Sequence, residues 1–257
     1  MFMEKKPSDY TDIGENYRKY RSGYSEKILD LLIEHIKIKE NRGLVVDVGA
    51  GTGIWARQMA ERGIRCIAIE PNEDMRRNGL EYTKDLSKSI LEWKNGSAEL
   101  TGLSSRIADW VTMASAFHWT DQKKALCEFH RILKGRGYLT LLWNPLIKEG
   151  DAIQEKVESI IKFILPEFSR KERTGENSKE LLTESGYFED VIEIRHEYLI
   201  NMPVERYLGA WRAANHLKTH AKPEEFEEII SGITSLLKGK ETIAVPYLTK
   251  SWTAIRK

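Results

Sequence analysis

The chain has 257 residues, 41% hydrophobic and 31% charged, which is the composition of a globular protein and excludes collagen-like or disordered classes. Its 40 Lys and Arg nearly balance 39 Asp and Glu, so it has no bulk positive charge to attract nucleic acid. Two cysteines, Cys66 and Cys127, are too few for a disulfide framework or a zinc site. Without a secretory signal or a long apolar run, we expect a cytoplasmic protein with no membrane partner.

Apolar, β-branched runs alternate with amphipathic stretches from Leu44 onward, which is typical of helices wound around a mostly parallel sheet. The predicted strands are residues 44–48, 65–70, 90–96, 108–115, 137–144, 188–200 and 242–256. The predicted helices are residues 54–63, 72–86, 121–133 and 151–165, and two more that begin near Pro203 and Pro223. The pattern therefore predicts a doubly wound α/β fold.

The alternation is interrupted between residues 145 and 185, where a helical stretch precedes a charged loop. We therefore predict four parts in the chain. They are an amino-terminal helical cap at 1–40, a cofactor-binding core at 41–144, a helical insertion at 145–185 and a carboxyl-terminal completion of the core at 186–257.

The sequence VVDVGAGTG, Val45 to Gly53, lies where the first predicted strand meets the first helix of this pattern. Glycines there lack a Cβ, so the backbone can turn tightly and approach a ligand at the carboxyl edge of the sheet. A dinucleotide fingerprint needs a glycine at position 54, where the chain has Ile54, and a phosphate loop needs a Lys-Ser or Lys-Thr pair. Neither phosphate-binding motif is matched.

Glu70 ends the second predicted strand, about 20 residues after the glycine loop. An acidic side chain at this point can accept hydrogen bonds from both hydroxyls of a ribose, which predicts a nucleoside-bearing cofactor. The alternative is that Glu70 is a solvated strand end and the glycines only make a tight turn.

These segments together resemble the class I S-adenosylmethionine-dependent methyltransferases. VVDVGAGTG is similar to their first motif, IEPNEDM to their second-strand motif, NGSAELTGL at 95–103 to their adenine-flanking segment and LKGRGYLTLLW to their fifth-strand motif. The resemblance covers roughly residues 10–145. It implies a Rossmann-like, seven-stranded, mostly parallel sheet with a helical cap, and S-adenosylmethionine as the cofactor.

The resemblance also implies a set of cofactor-binding residues. These are Asp47, Gly49, Ala50, Gly51, Gly53, Glu70, Pro71, Met75, Ser97, Ala98 and Ala114. Ser97 stands where many members have Asp, but a hydroxyl can still bond the adenine amino group. Asp47 either helps to orient the glycine loop or meets the amino group of the cofactor, or it only braces the turn, and these alternatives remain open.

The segment ASAFHWTD, Ala114 to Asp121, follows the fourth predicted strand and reaches the same edge of the sheet. In the resembled family this loop borders the transferred methyl group. His118 is a candidate catalytic residue because it can accept a proton near neutral pH. In the alternative that we favour, His118 and Trp119 only form a wall of the acceptor site, since methyl transfer can proceed largely by positioning.

Tyr17, Arg21 and Tyr24 match a Y-x-x-x-R-P-x-Y pattern found in small-molecule methyltransferases similar to the trans-aconitate enzyme, with Ser22 in place of the proline. Arg21 can pair with a carboxylate of the acceptor or of the cofactor, and the tyrosines can close the site. The alternative is an amphipathic helix packed on the sheet.

Two tryptophans, Trp143 and Trp211, are candidate walls of the acceptor site. The predicted function is methyl transfer from S-adenosylmethionine to an unidentified small-molecule acceptor, and no metal site is predicted. The alternatives are an RNA or protein methyltransferase and a non-catalytic regulator that binds the cofactor. The near-neutral charge argues against a nucleic-acid substrate.

Overall fold

The computed structural model describes residues 14–39, 42–169 and 175–257, which contain one seven-stranded sheet with helices on both faces. The strands are β1 (Leu44–Val48), β2 (Arg65–Ile69), β3 (Leu91–Lys94), β4 (Ala108–Ala114), β5 (Leu133–Trp143), β6 (Phe188–Pro203) and β7 (Thr242–Arg256). Their order across the sheet is β3-β2-β1-β4-β5-β7-β6, and only the two pairings made by β7 are antiparallel. The predicted α/β fold with a mostly parallel, seven-stranded sheet is confirmed.

The described residues contain ten α-helices, and the one that follows residue 177 lies in the stretch predicted as a charged loop, where it forms because Leu182 packs into the buried core. The helices are α1 (Gly14–Tyr20), α2 (Glu26–Ile36), α3 (Ile54–Glu61), α4 (Glu73–Tyr82), α5 (Gln122–Ile132), α6 (Ala152–Ile164), α7 (Ser178–Glu184), α8 (Val204–Arg212), α9 (Asn215–His220) and α10 (Pro223–Leu236). Asn72 and Asp121 cap α4 and α5 by accepting backbone hydrogen bonds, which fixes where each helix begins. Within the described ranges, no helix is long and apolar enough to cross a membrane.

Successive residues of the central strands point to opposite faces of the sheet, and both faces are covered. In β1, Val46 packs in one buried cluster with Phe129 of α5, whereas Val45 packs in another with Leu32 of α2 and Trp55 of α3. All five of these side chains are almost completely buried. Burial on both faces explains why the strands are nearly continuous apolar runs.

A third buried cluster contains residues of α6, α8 and α10, together with the ends of β6 and β7 that extend past the end of β5. The predicted division assigned residues 186–257 to the core, whereas α8 to α10 pack with α6 in a helical layer. The reason is that their apolar faces bury against each other and against the extended hairpin. Residues 1–13 and 40 of the predicted amino-terminal cap, residue 41 of the predicted core and residues 170–174 of the predicted insertion lie outside the described residues.

Candidate functional site

A cleft with a volume of about 260 Å³ opens at the carboxyl edge of the sheet. Its walls come from the loops after β1, β2, β3 and β4 and from the segment around α1. The strand order reverses between β1 and β4, and this switch point is where open α/β sheets bind ligands. Thirteen of the predicted site residues line it: Tyr17, Arg21, Tyr24, Gly49, Ala50, Gly51, Glu70, Pro71, Met75, Ser97, Ala98, Ala114 and Trp119.

The glycine loop turns directly after β1, with positive φ angles of 65° at Gly49 and 59° at Gly51. A Cβ on Gly49 would lie 2.9 Å from the Cβ of Ala116, so the loop packs closely against the segment that follows β4. Gly53 does not line the cleft. A Cβ at that position would lie 2.7 Å from Cζ2 of Trp93, so Gly53 allows close packing between α3 and β3.

The Glu70 side chain is buried and joins two loops of the cleft. Its Oε2 accepts a 2.8 Å hydrogen bond from the amide of Gly51, and its Oε1 accepts a 2.9 Å bond from the amide of Asn72. Burial raises the pKa of Glu70, although these amides and the charge of Arg76 oppose the rise. A carboxylate has about four lone-pair sites, so two of them stay available for hydroxyl groups in the cleft.

The region beyond Glu70 combines apolar side chains with the hydroxyl of Ser97. Met75 is buried, with its Cε about 3.4 Å from where a Cβ of Gly51 would lie, and Pro71 and Ala98 line the same region. The Oγ of Ser97 accepts a 3.2 Å bond from the amide of Leu100, so its own hydrogen can point into the cleft. Apolar walls with one hydroxyl suit a flat base such as adenine.

Asp47 is fully buried beneath the glycine loop and does not line the cleft. Its Oδ1 accepts a 2.7 Å bond from Oγ1 of Thr112, which joins β1 to β4 where these two residues pair in register. Burial raises the pKa of Asp47 to about 7. Its Oδ2 has no hydrogen-bond partner within the described part of the chain.

Two further buried polar atoms lie at the start of α3, in residues that line the cleft. They are Oγ1 of Thr52 and Nε1 of Trp55, and neither has a hydrogen-bond partner among the described residues. Nearly all buried polar groups in proteins are hydrogen-bonded, so unpartnered ones beside a cleft are consistent with a polar ligand that completes them.

Residues 21–25, called the strap here, link α1 to α2 across the cleft without regular structure. Side chains from other elements form hydrogen bonds with its backbone groups. The carbonyl of Gly23 accepts bonds from Nδ2 of Asn144 at 2.9 Å and from the hydroxyl of Tyr198 at 3.0 Å. The amide of Gln58 accepts from the Tyr24 N–H at 3.1 Å and donates to its carbonyl at 2.9 Å. The strap is therefore fixed to α3 and to the far strands of the sheet.

Arg21 and Tyr17 lie together at the mouth of the cleft, with the guanidinium carbon 5.6 Å from the tyrosine ring centroid. Among the described residues that line the cleft, Arg21 is the only Lys, Arg or His. One exposed guanidinium is a poor match for the diphosphate of a dinucleotide, which needs several donors in a close cradle.

His118 and Trp119 belong to a single 3₁₀ turn after β4, and only Trp119 lines the cleft. The two rings lie 4.8 Å apart, and Nε1 of Trp143 donates a 3.3 Å bond to Nδ1 of His118. Because an indole N–H can only donate, Nδ1 must accept, and the neutral ring then carries its hydrogen on Nε2. Its basic lone pair is thus already bonded, which argues against His118 as the proton acceptor, and of the two predicted wall residues only Trp119 lies in the wall.

Trp143 and Trp211, the two candidate acceptor walls, are buried and do not line the cleft. Trp143 packs against Trp252 with ring centroids 5.6 Å apart, on the face of the sheet that α5 covers. Trp211 packs against Tyr207 inside the helical layer, at 6.2 Å. The structure therefore separates both of them from the predicted site.

The cleft also contains residues that the sequence did not predict, most of them directly beside a predicted position. They include Thr52, Trp55, Asn72, Met113, Ser115 and Ala116. Adjacency to the glycine loop was an available signal for Thr52 and Trp55. Ser115 also directly follows a predicted position, Ala114, but its φ of 54°, a conformation that serine rarely adopts, has no signal in the sequence.

Comparison with known proteins places these features in one family. Residues 46–141 match the family described as methyltransferase domain, and the match runs from β1 into β5, through the glycine loop and Glu70. These residues are therefore similar to methyltransferase domains. The resemblance to class I methyltransferases is thereby confirmed for the family, whereas the trans-aconitate-like branch stays a prediction.

Three similar proteins show how much of the chain can be aligned with known methyltransferases or related structures. An uncharacterized methyltransferase of Mycobacterium tuberculosis is 32% identical over 155 residues, which cover 55% of this chain and 60% of that protein. The YcgJ protein of Bacillus subtilis has a TM-score of 0.56 at 16% identity, with coverage of 91% and 99%. Phosphoethanolamine N-methyltransferase 2 of Haemonchus contortus, solved with S-adenosyl-L-methionine, has a TM-score of 0.53 at 14% identity, with coverage of 98% and 58%. The two solved structures show a shared fold.

Proposed function

We propose that this protein transfers a methyl group from S-adenosylmethionine to a small-molecule acceptor. The observation that carries the proposal is the buried Glu70 carboxylate, which bonds the amide of Gly51 and keeps lone pairs for the hydroxyls of a ribose. When bound, S-adenosylmethionine supplies an electrophilic methyl group on a sulfonium. The chain's own residues bind it, orient it and hold the acceptor in line.

The cleft fits this cofactor better than a dinucleotide. In the proposed arrangement Glu70 holds the ribose, and Met75 and Ser97 flank the adenine, with Pro71 and Ala98 beside them. Gly49, Ala50, Gly51 and Ala114 provide a close backbone surface. S-adenosylmethionine has no phosphates, so the single positive charge at Arg21 is no obstacle. The unpartnered atoms of Thr52 and Trp55 offer polar contacts for its amino-acid end.

The acceptor would enter at the other end of the cleft, beside Tyr17, Arg21, Tyr24 and Trp119. The fixed strap restricts this entrance, which favours a small molecule over a folded RNA or a protein surface. A methyl group on a sulfonium is already reactive, so holding the acceptor at near-attack distance can supply most of the acceleration. This arrangement needs no contribution from the lone pair of His118.

Isothermal titration calorimetry tests the proposal. S-adenosylmethionine and its demethylated product should bind with dissociation constants on the order of micromolar, in the usual range for enzyme ligands, and NAD should not bind measurably. Glu70→Ala removes a charge-assisted hydrogen bond worth about 1.5–3 kcal/mol, so affinity should fall about 10- to 150-fold. Methyl transfer is then sought with labelled cofactor and fractionated small metabolites.

The matched control is Glu81→Ala, because Glu81 is an exposed acid on α4 that pairs with Lys84 away from the cleft. It should leave the affinity unchanged. Binding of NAD as tight as that of S-adenosylmethionine, or a folded Glu70→Ala variant with normal affinity, would refute the cofactor assignment.

A further inference from the structure

We propose that Tyr24 and Ser115 form a positioning pair that selects an acceptor atom with at least two lone pairs, oxygen or sulfur, over an amine nitrogen. The inference rests on the proposed function and names the class of atom that receives the methyl group. The pair is a 3.0 Å hydrogen bond from the Tyr24 hydroxyl to Oγ of Ser115, and both residues line the cleft.

Ser115 lies where the reacting groups would meet. It follows β4 directly, and its neighbour Ala116 packs against Gly49 of the glycine loop. Glu70 and Met75, which would hold the ribose and the adenine, come from the β2 side of the cleft. The sulfonium end of the cofactor therefore lies toward β4, on the Ser115 side.

The backbone of Ser115 is held in a costly conformation. Its φ of 54° is in the left-handed region, which residues other than glycine avoid. Such a conformation persists only where the surrounding structure holds it, and this is often the case at functional sites. Two bonds hold it here. The Ser115 amide donates to the carbonyl of Leu142 at 2.7 Å, and its Oγ accepts from Tyr24. The hydroxyl is thus aimed by the fold rather than by its own preference.

The direction of the bond fixes which hydrogen faces the cleft. In this 3.0 Å contact the Tyr24 hydroxyl is the donor and Oγ of Ser115 is the acceptor. Burial raises the pKa of Tyr24 well above its usual range, although Arg21 opposes the rise, so this hydroxyl stays protonated. Oγ of Ser115 accepts that hydrogen, and within the described residues it has no second hydrogen-bond partner. Its own O–H is therefore directed toward the cleft as a donor.

Tyr24 is itself fixed, which makes the pair rigid. Its ring meets the ring of Trp55 edge-on at 5.4 Å, and its backbone is bonded on both sides by the Gln58 amide. The Ser115 hydroxyl is therefore preorganised, so a hydrogen bond from it to the methyl acceptor costs little conformational entropy.

A donor at the reacting atom discriminates by the number of lone pairs. An oxygen or sulfur can accept the Ser115 hydrogen with one lone pair and attack with another. An amine nitrogen has one lone pair, and the bond to Ser115 would occupy it. In the transfer, the acceptor lone pair forms the new bond to carbon while the C–S bond breaks and its electrons stay on sulfur. Ser115 keeps its proton, and an alcohol acceptor releases its own proton to water.

Two probes of matched shape test the pair by methyl transfer. Phenol and aniline are supplied separately to protein saturated with labelled S-adenosylmethionine, and the rate of label transfer to each probe is measured. Aniline must give up one neutral hydrogen bond to Ser115 before its lone pair can attack, so the ratio of the phenol rate to the aniline rate should be about two- to tenfold higher in the unmodified protein than in Ser115→Ala. Tyr24→Phe should lower this ratio in the same direction. Ser115→Gly should lower it equally even though it relieves the backbone.

The control is Arg106→Gly, which relieves a similar positive φ of 57° at an exposed loop residue and should keep the ratio of the two rates. The same ratio in the unmodified protein and in Ser115→Ala, or transfer to neither probe, would overturn the pair. Failure of S-adenosylhomocysteine to bind the unmodified protein would instead refute the proposed function.

Discussion

The indole of Trp93 lies directly against Gly79 in the middle of α4, in space that a Cβ on Gly79 would overlap. The same indole donates a 3.0 Å bond to Oγ1 of Thr83, whose hydroxyl donates to the Gly79 carbonyl at 2.8 Å. A glycine inside a helix costs about 1 kcal/mol relative to alanine. Here the missing side chain makes room for a tryptophan of β3.

Gly79→Ala should therefore lower the free energy of unfolding by about 1–3 kcal/mol, because overpacking against Trp93 outweighs the gain in helix propensity. Urea unfolding measures the change. Gly135→Ala is the control, since a Cβ there meets open space, and it should stay within about 0.5 kcal/mol. A more stable Gly79→Ala variant would show that the indole moves aside.

Asp47 should make the stability depend on pH. Burial holds its pKa at about 7 in the folded chain, above the ordinary value of 3.8, so the folded state binds the proton more tightly. This contribution to stability is fully present below about pH 4, is lost as pH rises toward about 7 and changes no further above it. Asp47→Asn should lack this loss, so its unfolding free energy should exceed that of the unmodified protein increasingly across the window. Parallel pH profiles from urea unfolding would contradict the shifted pKa.

Tyr198→Phe should loosen the strap. It removes the hydroxyl whose single hydrogen lies between two acceptors, the Gly23 carbonyl and Oδ1 of Asn144, each at 3.0 Å from the phenol oxygen. Hydrogen exchange of the Tyr24 amide should speed up about two- to tenfold, the amount expected from one lost hydrogen bond. Tyr187→Phe, where the ring lies against His130 outside the cleft, should leave the rate unchanged. An unchanged exchange rate in Tyr198→Phe would mean that the hydrogen bonds from Asn144 and Gln58 are enough to hold the strap in place.

His118→Asn separates proton transfer from positioning. The Asn carbonyl can still accept from Trp143, so the turn should stay in place. Because the lone pair of His118 is already bonded and its ring does not line the cleft, we expect the acceptor KM, kcat and the acidic limb of the pH profile to change little. A loss of about 10²–10⁴ in kcat with an unchanged KM would instead identify His118 as a general base. Steady-state kinetics against pH make the distinction once an acceptor is known.

Much of the fold could be predicted because the strands are buried on both faces and the helix starts carry caps. The run at 44–48 and the cap at Asn72 are local signals, and the structure has both elements there. The antiparallel direction of β7 has no local signal, because alternation does not depend on the direction of the strand. Likewise β5 begins at Leu133, before the predicted 137, since pairing with Ala108 extends it past an irregularity.

The site could be predicted where one motif supplies several walls, as the glycine loop and Glu70 do. The site could not be predicted where long-range packing decides which way a side chain points, as for Trp143 and Trp211. Ser22 shows a third case. It stands in place of a proline in the resembled pattern, and its hydroxyl donates a 3.0 Å bond to the Tyr247 hydroxyl of the extended hairpin. This contact spans more than two hundred residues of sequence, and no local pattern contains it.

The position of β7 between β5 and β6 also affects how the chain can fold during synthesis. β6 leaves the ribosome before β7, so it has no neighbouring strand until the helices between them and β7 are made. At about 5–20 residues per second this takes several seconds. During that time β6 is an unpaired strand of 16 residues, the kind of edge that pairs with other chains. Its alternating exposed residues Glu193, Arg195 and Glu197 place charge along that strand, which discourages such pairing while β7 is awaited.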